Sequence, residues 1–409
     1  MTTATPPGPQ PDRHPPSPEA GRGPGTGGRG PLAGLVVVEL AGIGPAPFAA
    51  LILAELGADV VRIDRSDGGG ALSSALSGLN RSRPSVALDL KHPEGAAVAM
   101  RLIEQADVVL EGWRPGVCER LGLGPEDCLA RNPRLIYARM TGWGQDGPWA
   151  QRAGHDITYA AITGALHLVG PAERPVVPAN LLADFGGGTM YLLVGVLSAL
   201  HARQATGAGQ VIDAAMVDGT ASLVTMVYAM YGTGLWRDER GVNMLDGGLP
   251  FYDTYRCADG RFVAVGPLEP QFYAALLDGL GLGEREDLRR AQWDEATWPE
   301  QRRLFTELFA TRTRDEWAAR FDGSDACVAP VLGLSEAPSH PHLAARGVFT
   351  EVDGVVQPRV APRFSATPAG EPTPARSAGA DTRNVLLARG FSEVEVDGLL
   401  ASGVVVQID

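Results

Sequence analysis

Only four cysteines occur in the 409 residues, Cys118, Cys128, Cys257 and Cys327, and none stands in a C-x-x-C spacing or near a histidine at ligand intervals. A zinc site or a disulfide framework is thereby excluded, and reduced thiols in a cytoplasmic setting are expected. The paired histidines His340 and His342 lack a carboxylate or cysteine at ligand spacing, so no metal is expected there. No apolar run reaches the roughly 20 residues that a membrane span requires, and MYLLVGVLSAL is among the longest. Positive charge is also in deficit. A net charge of -13 argues against a nucleic-acid or anionic-membrane surface and leaves room only for a local basic cluster holding a phosphorylated small molecule. There is no internal repeat. The first thirty residues are rich in Pro, Gly and charge but have no apolar h-region, and they read as a disordered tail, neither signal peptide nor core.

What is present is ample apolar content, 44%, in a chain long enough for two domains. Order begins at PLAGLVVVELAGIGPAPFAALILAELGADVVRIDR: a β-branched run, a Gly turn, an Ala/Leu helix and a second strand, which together make a β-α-β unit. Gly42, Gly44 and the later Asp64 imitate a dinucleotide fingerprint. Pro47 stands where the third glycine belongs, however, and denies the helix its close packing and an N–H, so NAD is not expected. Strand and helix signals go on alternating through SVALDLK, PEGAAVAMRLIEQA, DVVLEG, GVCERLGL and RLIYARM. That pattern predicts an α/β fold with a parallel sheet wrapped by helices. The region from Met190 through QVIDAAMVDGTASLVTMVYAMYGTG reads as helical. Short Tyr/Phe-rich strands around Ala258-Asp259-Gly260 then signal a hairpin and a second, smaller domain.

The expected organisation is a tail over 1–30, the first part of a large Rossmann-like domain over 31–215 and a helical linker over 216–245. A small α+β domain over 246–330 follows, and 331–409 returns to the large domain with terminal helices.

Two stretches carry chemistry. In Gly142 to Met190, His155 sits beside Gly154 and Asp184 stands two residues before Gly186, at glycine steps where a backbone turns sharply and a substrate approaches closely. Asp156 stands before ITYAAITGAL and Asp184 before MYLLVGVLSALHA, so each is placed at a helix start, where free N–H groups favour negative charge. Taken singly, such an aspartate is more often an N-cap and a lone histidine a satisfied residue. The second stretch is a set of arginines at strand ends: Arg62 and Arg65, Arg81 and Arg83, Arg114 and Arg120. Ligands of open α/β sheets gather there, and arginine suits phosphate.

Together VVELAGIGPAP, LGADVVRIDR, EGWRPGVCERLGLGPED, IYARMTGWGQDGP, AGHDITY, NLLADFGGG, GQVIDAAMVDG, NMLDGG and FYDTYRCADGRFVAVG resemble the α-methylacyl-CoA racemase family, within the class III CoA-transferase superfamily. The likeness runs from Pro31 nearly to the C-terminus. It implies a large Rossmann-like domain built from both chain ends, a small domain, and an interlocked homodimer. It also implies that His155 and Asp184 are the proton-transferring pair, that Glu269 partners the histidine, and that the Asp156 N–H meets the thioester oxygen. Arg65, Arg114 and Arg120 match positions expected to meet CoA phosphates, with CoA entering as part of the substrate and no separate cofactor. One departure is Asn80-Arg81-Ser82-Arg83-Pro84-Ser85, where the superfamily commonly reads N-R-G-K-R-S, so proline replaces a cation.

Epimerising the carbon beside a thioester removes a proton from one face and returns one to the other through an enolate. Imidazole titrates near neutrality and serves either way. An aspartate must be raised by burial before it donates, against the pull of a helix start. The rival chemistry implied by the superfamily is CoA transfer, with Asp184 attacking a thioester to form an acyl-aspartyl anhydride. That reaction has no need of a His155–Glu269 pair.

Overall fold

The computed structural model describes residues 30–66 and 77–408. The expected tail, apart from Gly30, and most of the linker between Asp64 and Asn80 lie outside the described residues. Seven strands form the main sheet: β1 Val36–Leu40, β2 Asp59–Arg65, β3 Ser85–Leu88, β4 Val108–Glu111, β5 Ile136–Thr141, β6 Gln210–Ala215 and β12 Val405–Val406. Their order is β12-β3-β2-β1-β4-β5-β6. All neighbours are parallel except β12, which runs antiparallel on β3. The chain winds one way from β1 to β3 and the other way from β4 to β6, so the order reverses between β1 and β4. In such sheets the crevice at the carboxyl ends of those strands is the place where ligands bind.

Strand side chains alternate between two cores, as a period of two requires. Val36, Val38 and Leu40 face one core, with Val61, Ile63, Val86 and Leu88, covered by Val98 and Leu102 of the helix Pro93–Ile103 and by Leu386 and Val396 from the C-terminal helices. Val37, Val60, Val108, Leu110 and Ile136 face the other core, covered by Ala49 and Leu53 of α1 (Pro45–Glu55) and by Leu192 and Val196 of the helix Met190–Thr206. Each such fully buried aliphatic side chain contributes roughly 1.5–3 kcal/mol. The C-terminal segment is tied in by polar groups as well. Asp381 accepts from the Ser85 N–H at 3.0 Å, and Thr382 accepts from the Ala87 N–H at 3.1 Å.

One reading of the sequence needs correction. Gln210–Ala215 is not helical but forms β6, paired with β5 at the edge of the sheet. Its alternation is short, and it is wedged between two apolar helices, so the helical period on either side masks the period of two. The helices that follow are Met216–Leu223 and Thr225–Gly232. Helix continues from Leu181 through Thr206, 26 residues that by length and composition suffice to cross a membrane. Leu192, Val196 and Ala199 of this stretch are nevertheless packed in the core beneath the sheet.

A third core belongs to the antiparallel sheet β7 Asp253–Arg256, β8 Phe262–Val265 and β9 Val328–Pro330. Phe251, Tyr273, Phe305, Phe309 and Trp317 fill it, mostly edge to face. A further hairpin, β10 Phe349–Val352 and β11 Val355–Pro358, precedes the return to the main sheet.

Candidate active site

The crevice at the carboxyl end of β1 is built around glycine. Gly44 has φ of +79°, which a side chain rarely adopts, and a Cβ there would lie 3.7 Å from Asp184 Oδ2. The backbone leading into α1 thus lies directly against the Asp184 carboxylate. Pro45 fixes the join by accepting from the Thr189 hydroxyl at 2.8 Å, and Phe48 packs on Phe185 with ring centroids 4.7 Å apart.

Asp184 does not cap the helix Met190–Thr206. It sits inside a preceding wide π-helical turn, Leu181–Thr189. The glycines after it explain the geometry: Gly187 lies so close to the helix Met216–Leu223 that a Cβ would meet Thr220 Oγ1 at 2.3 Å. Wide turns of this kind cluster at functional sites because they redirect one side chain without breaking the helix.

On the facing side, His155 occupies the N-cap position of the helix Asp156–Ile162, with its own N–H donating to Thr158 Oγ1 at 3.0 Å. Tyr159, one turn into that helix, packs edge to face on Trp143 at 4.6 Å. A Cβ on Gly142 would overlap the Tyr159 ring at 2.2 Å and one on Gly154 at 2.5 Å. The Gly-Trp-Gly and Ala-Gly-His-Asp segments therefore clamp this ring, and the clamp positions His155. The histidine is solvent-exposed, with no carboxylate within ion-pairing distance among the described residues.

Between the two lies Asp156, 5% exposed. Its Oδ2 accepts from the Ala183 N–H at 2.6 Å and from the Asp184 N–H at 2.8 Å. Its Oδ1 is buried without a hydrogen-bond partner. Burial pushes the Asp184 carboxyl above its ordinary range, and the Asp156 charge adds to this, opposed by the Asn180 amide at 3.5 Å and by His155. Asp184 is thus pushed toward the protonated form an acid requires. The contribution of the Asp156 side chain escaped the sequence because its donors lie 27 and 28 residues away. Asn180, by contrast, carries a signal, standing four residues before Asp184 on a helical turn.

The remaining expected residues fall in three places. Glu269 is the exposed N-cap residue of the helix Pro270–Leu280, beside β8, and makes no hydrogen bond or ion pair with His155 within the described chain. Arg65 and Arg120 are exposed at the ends of β2 and the short helix Val117–Arg120. Arg114, in the loop after β4, is exposed and acts electrostatically on Tyr159, as does Asp184. Arg81 and Arg83 differ from the expectation of a phosphate site. Arg81 binds both oxygens of Glu55, at 2.6 and 3.0 Å, and the Pro358 carbonyl. Arg83 pairs with Glu39 at 2.8 Å, and neither side chain is exposed at all. Their cations are spent inside the protein, where an unpaired charge is far costlier than a paired one. Among the described residues, no group of His, Cys, Asp and Glu is arranged to hold a metal.

A doubly wound α/β sheet, with Asp184 set against the turn after β1 at its reversal point and His155 acting on it electrostatically, defines a class whose members bind small molecules in this crevice. The particular family is clear from sequence as well: the chain belongs to CoA-transferase family III, matched over residues 32–382. It is 48% identical over 369 residues to the alpha-methylacyl-CoA racemase of Mus musculus, covering 89% of this chain and 95% of that protein. The same identity and coverage hold for the alpha-methylacyl-CoA racemase of Homo sapiens. Among solved structures, a CAIB/BAIF family protein from Brucella suis superimposes with a TM-score of 0.77 at 27% identity, over 88% of this chain and 100% of that one.

Proposed function

We propose that the chain epimerises the α-carbon of 2-methyl-branched acyl-CoA thioesters by 1,1-proton transfer through an enolate. The observation that carries this reading is that His155 and Asp184 lie within electrostatic reach of each other, with Asp156 next to the first and bonded to the N–H of the second, in a chain 48% identical to proteins named alpha-methylacyl-CoA racemase. In one direction His155 takes the α-proton and Asp184, held above its ordinary pKa, returns one to the opposite face. In the other direction the roles exchange. The enolate oxygen is met by the Asp156 N–H, which has no acceptor among the described residues of the protein. One well-placed donor of this kind is worth roughly 3–4 kcal/mol.

Glu269 is assigned to the imidazole of a second copy, in an interlocked homodimer. Support comes from its exposure and from the apolar residues left uncovered on a single chain. Met226, Tyr228 and Tyr231 are 55–58% exposed and Leu235 76%, a concentration larger than the scattered apolar residues of ordinary surfaces. Arg65, Arg114 and Arg120 are assigned to the CoA phosphates, with CoA a part of the substrate and no separate cofactor. A cytoplasmic setting is favoured by four unpaired cysteines.

The reading is tested by incubating a 2-methylacyl-CoA in D2O without any acyl acceptor. Deuterium at C2 and loss of stereochemical purity are expected. Retention of the C2 proton together with passage of CoA to an added carboxylate establishes CoA transfer with Asp184 as nucleophile instead.

A further inference from the structure

The Asp156 carboxylate is a buried charge that the reaction as written does not use. Only its backbone N–H is assigned a task there. Its side chain, however, is aimed away from its own helix and into the first turn of Leu181–Thr189, where Oδ2 takes two of the N–H groups that a helix start leaves free. The same turn carries Asp184. Oδ1 is buried and lacks any donor, so half of this carboxylate's charge is left without the hydrogen bonds that normally compensate a buried anion. A neutral amide of the same shape would still accept from both N–H groups, through weaker bonds than a carboxylate makes. The retained charge therefore does something that the hydrogen bonds do not require.

We infer that Asp156 is a positioning residue for Asp184, its carboxylate both pinning the turn that carries the second proton-transferring group and placing a fixed negative charge beside it. This inference rests on the proton-transfer reading of the site. The charged groups acting on the Asp184 carboxylate among the described residues are Asp156 and His155, the first residue and the N-cap of the helix Asp156–Ile162, and the Asn180 amide comes from the N-cap of Asp184's own turn. The other elements packed against that turn are α1, β6 and the helices Met190–Thr206 and Met216–Leu223, and none presents a charge that acts on it. Among the described residues Asp156 is thus the one anion that favours a protonated Asp184, and it stands against the imidazolium that forms when His155 has taken a proton. A substrate whose α-proton goes to His155 needs Asp184 to arrive protonated, and the Asp156 charge keeps that form populated.

The experiment measures both directions of epimerisation of one 2-methylacyl-CoA against pH, for the wild-type protein and Asp156→Asn. Asparagine keeps an acceptor for the two N–H groups and removes only the charge. The acid limb of the profile, set by ionisation of Asp184, is expected to move to lower pH by about one unit. Because the equilibrium between the epimers fixes the ratio of the two directions, kcat/KM is expected to fall together in both, by up to about tenfold, as one unit of pKa implies. A variant that is slower in both directions with an unmoved acid limb shows a purely structural role and overturns the inference. Should Asp156→Asn not fold, amide hydrogen exchange in the wild-type protein decides. Protection of the Ala183 and Asp184 amides is expected, and exchange at the rate of free first-turn amides in a folded chain overturns the pin. Absence of any C2 exchange in the wild-type protein is a different outcome, since it refutes the proton-transfer reading itself.

Discussion

Two clusters of buried charge sit close to the same sheet and behave in opposite ways. Along β1 to β3, Glu39 faces Arg83, Glu55 faces Arg81, and Asp64 faces Arg62 at 2.7 Å, so every charge meets its opposite. At the crevice between β1 and β4, Asp156 and Asp184 share one turn with like charges, and His155 is left exposed with no carboxylate partner in the described chain. The first cluster is balanced and has no group free to move a proton. The second is unbalanced, and Asp184 is raised there, first by burial and then by the Asp156 charge. Buried ionisable groups in themselves are therefore a poor guide to chemistry, whereas a buried carboxylate whose neighbour has the same sign is a good one.

The sharpest way to break the contrast is to remove one charge from each cluster. Asp184→Asn is expected to lower racemisation by about 10³-fold, within the range of a lost general acid–base group, while exchange from one enantiomer survives through His155. Arg83→Met is expected to leave Glu39 buried without a partner and to cost roughly 3–5 kcal/mol of stability, with kcat and KM per folded molecule unchanged. Urea unfolding alongside steady-state kinetics reads both. A tenfold rise in the KM for the CoA ester in Arg83→Met would return that arginine to the phosphate site.

These two clusters also differ in how far the sequence announced them. The strand runs of β1 to β5, the hairpin at Ala258-Asp259-Gly260 and the terminal helices could be read directly, because β-branched runs, turn residues and helical periodicity are local signals. His155 and Asp184 stood out as candidates, because Gly154 precedes the first directly and Gly186 follows the second by two residues. Within the arginine cluster, the internal pairing of Arg81 and Arg83 was not legible. Arg81 and Arg83 look like surface cations at a strand start, and their partners Glu55 and Glu39 lie 26 and 44 residues earlier, a pairing fixed only when β3 is laid beside β2 and α1. The side-chain role of Asp156 was hidden for the same reason. β6 was hidden by a different one, since six alternating residues at an edge are outvoted by the helices on either side.

The contrast is sharpened next by disturbing the unbalanced cluster without touching a charge. Gly142→Ala places a methyl group where the Tyr159 ring lies, 2.2 Å from the nearest ring carbon. The ring must move, and it carries the start of the helix on which His155 and Asp156 sit. A displacement of about 1 Å at reacting groups costs about 10²-fold, so kcat is expected to fall by that order with the substrate's KM little changed. A Gly142→Ala protein with wild-type kcat would show that Tyr159 does not position the histidine.

The smallest expected effect is on stability, and its sign separates the clusters most cleanly. Asp184 has its folded pKa raised above the ordinary carboxylate value, first by burial and then by Asp156. At a pH below the ordinary value, the folded and unfolded chains both hold the proton and Asp184 has no linkage cost. As pH rises through the window between the ordinary and the raised value, the unfolded chain releases its proton while the folded chain keeps it. Stability therefore falls across that window, and the loss persists above it. Asp184→Asn removes the ionisation and with it the loss. Relative to wild type, the variant is expected to gain stability between pH 4 and pH 7, although it is nearly inactive. A balanced pair acts the other way: burial raises Glu39 and Arg83 opposes this, so in Arg83→Met the cost of the unpaired carboxyl is expected to grow as pH rises and Glu39 ionises. Urea unfolding of wild type and Asp184→Asn at both pH values measures the difference. A difference that does not change with pH would mean that Asp184 is held at its ordinary pKa, and the distinction between the clusters would then rest on geometry alone.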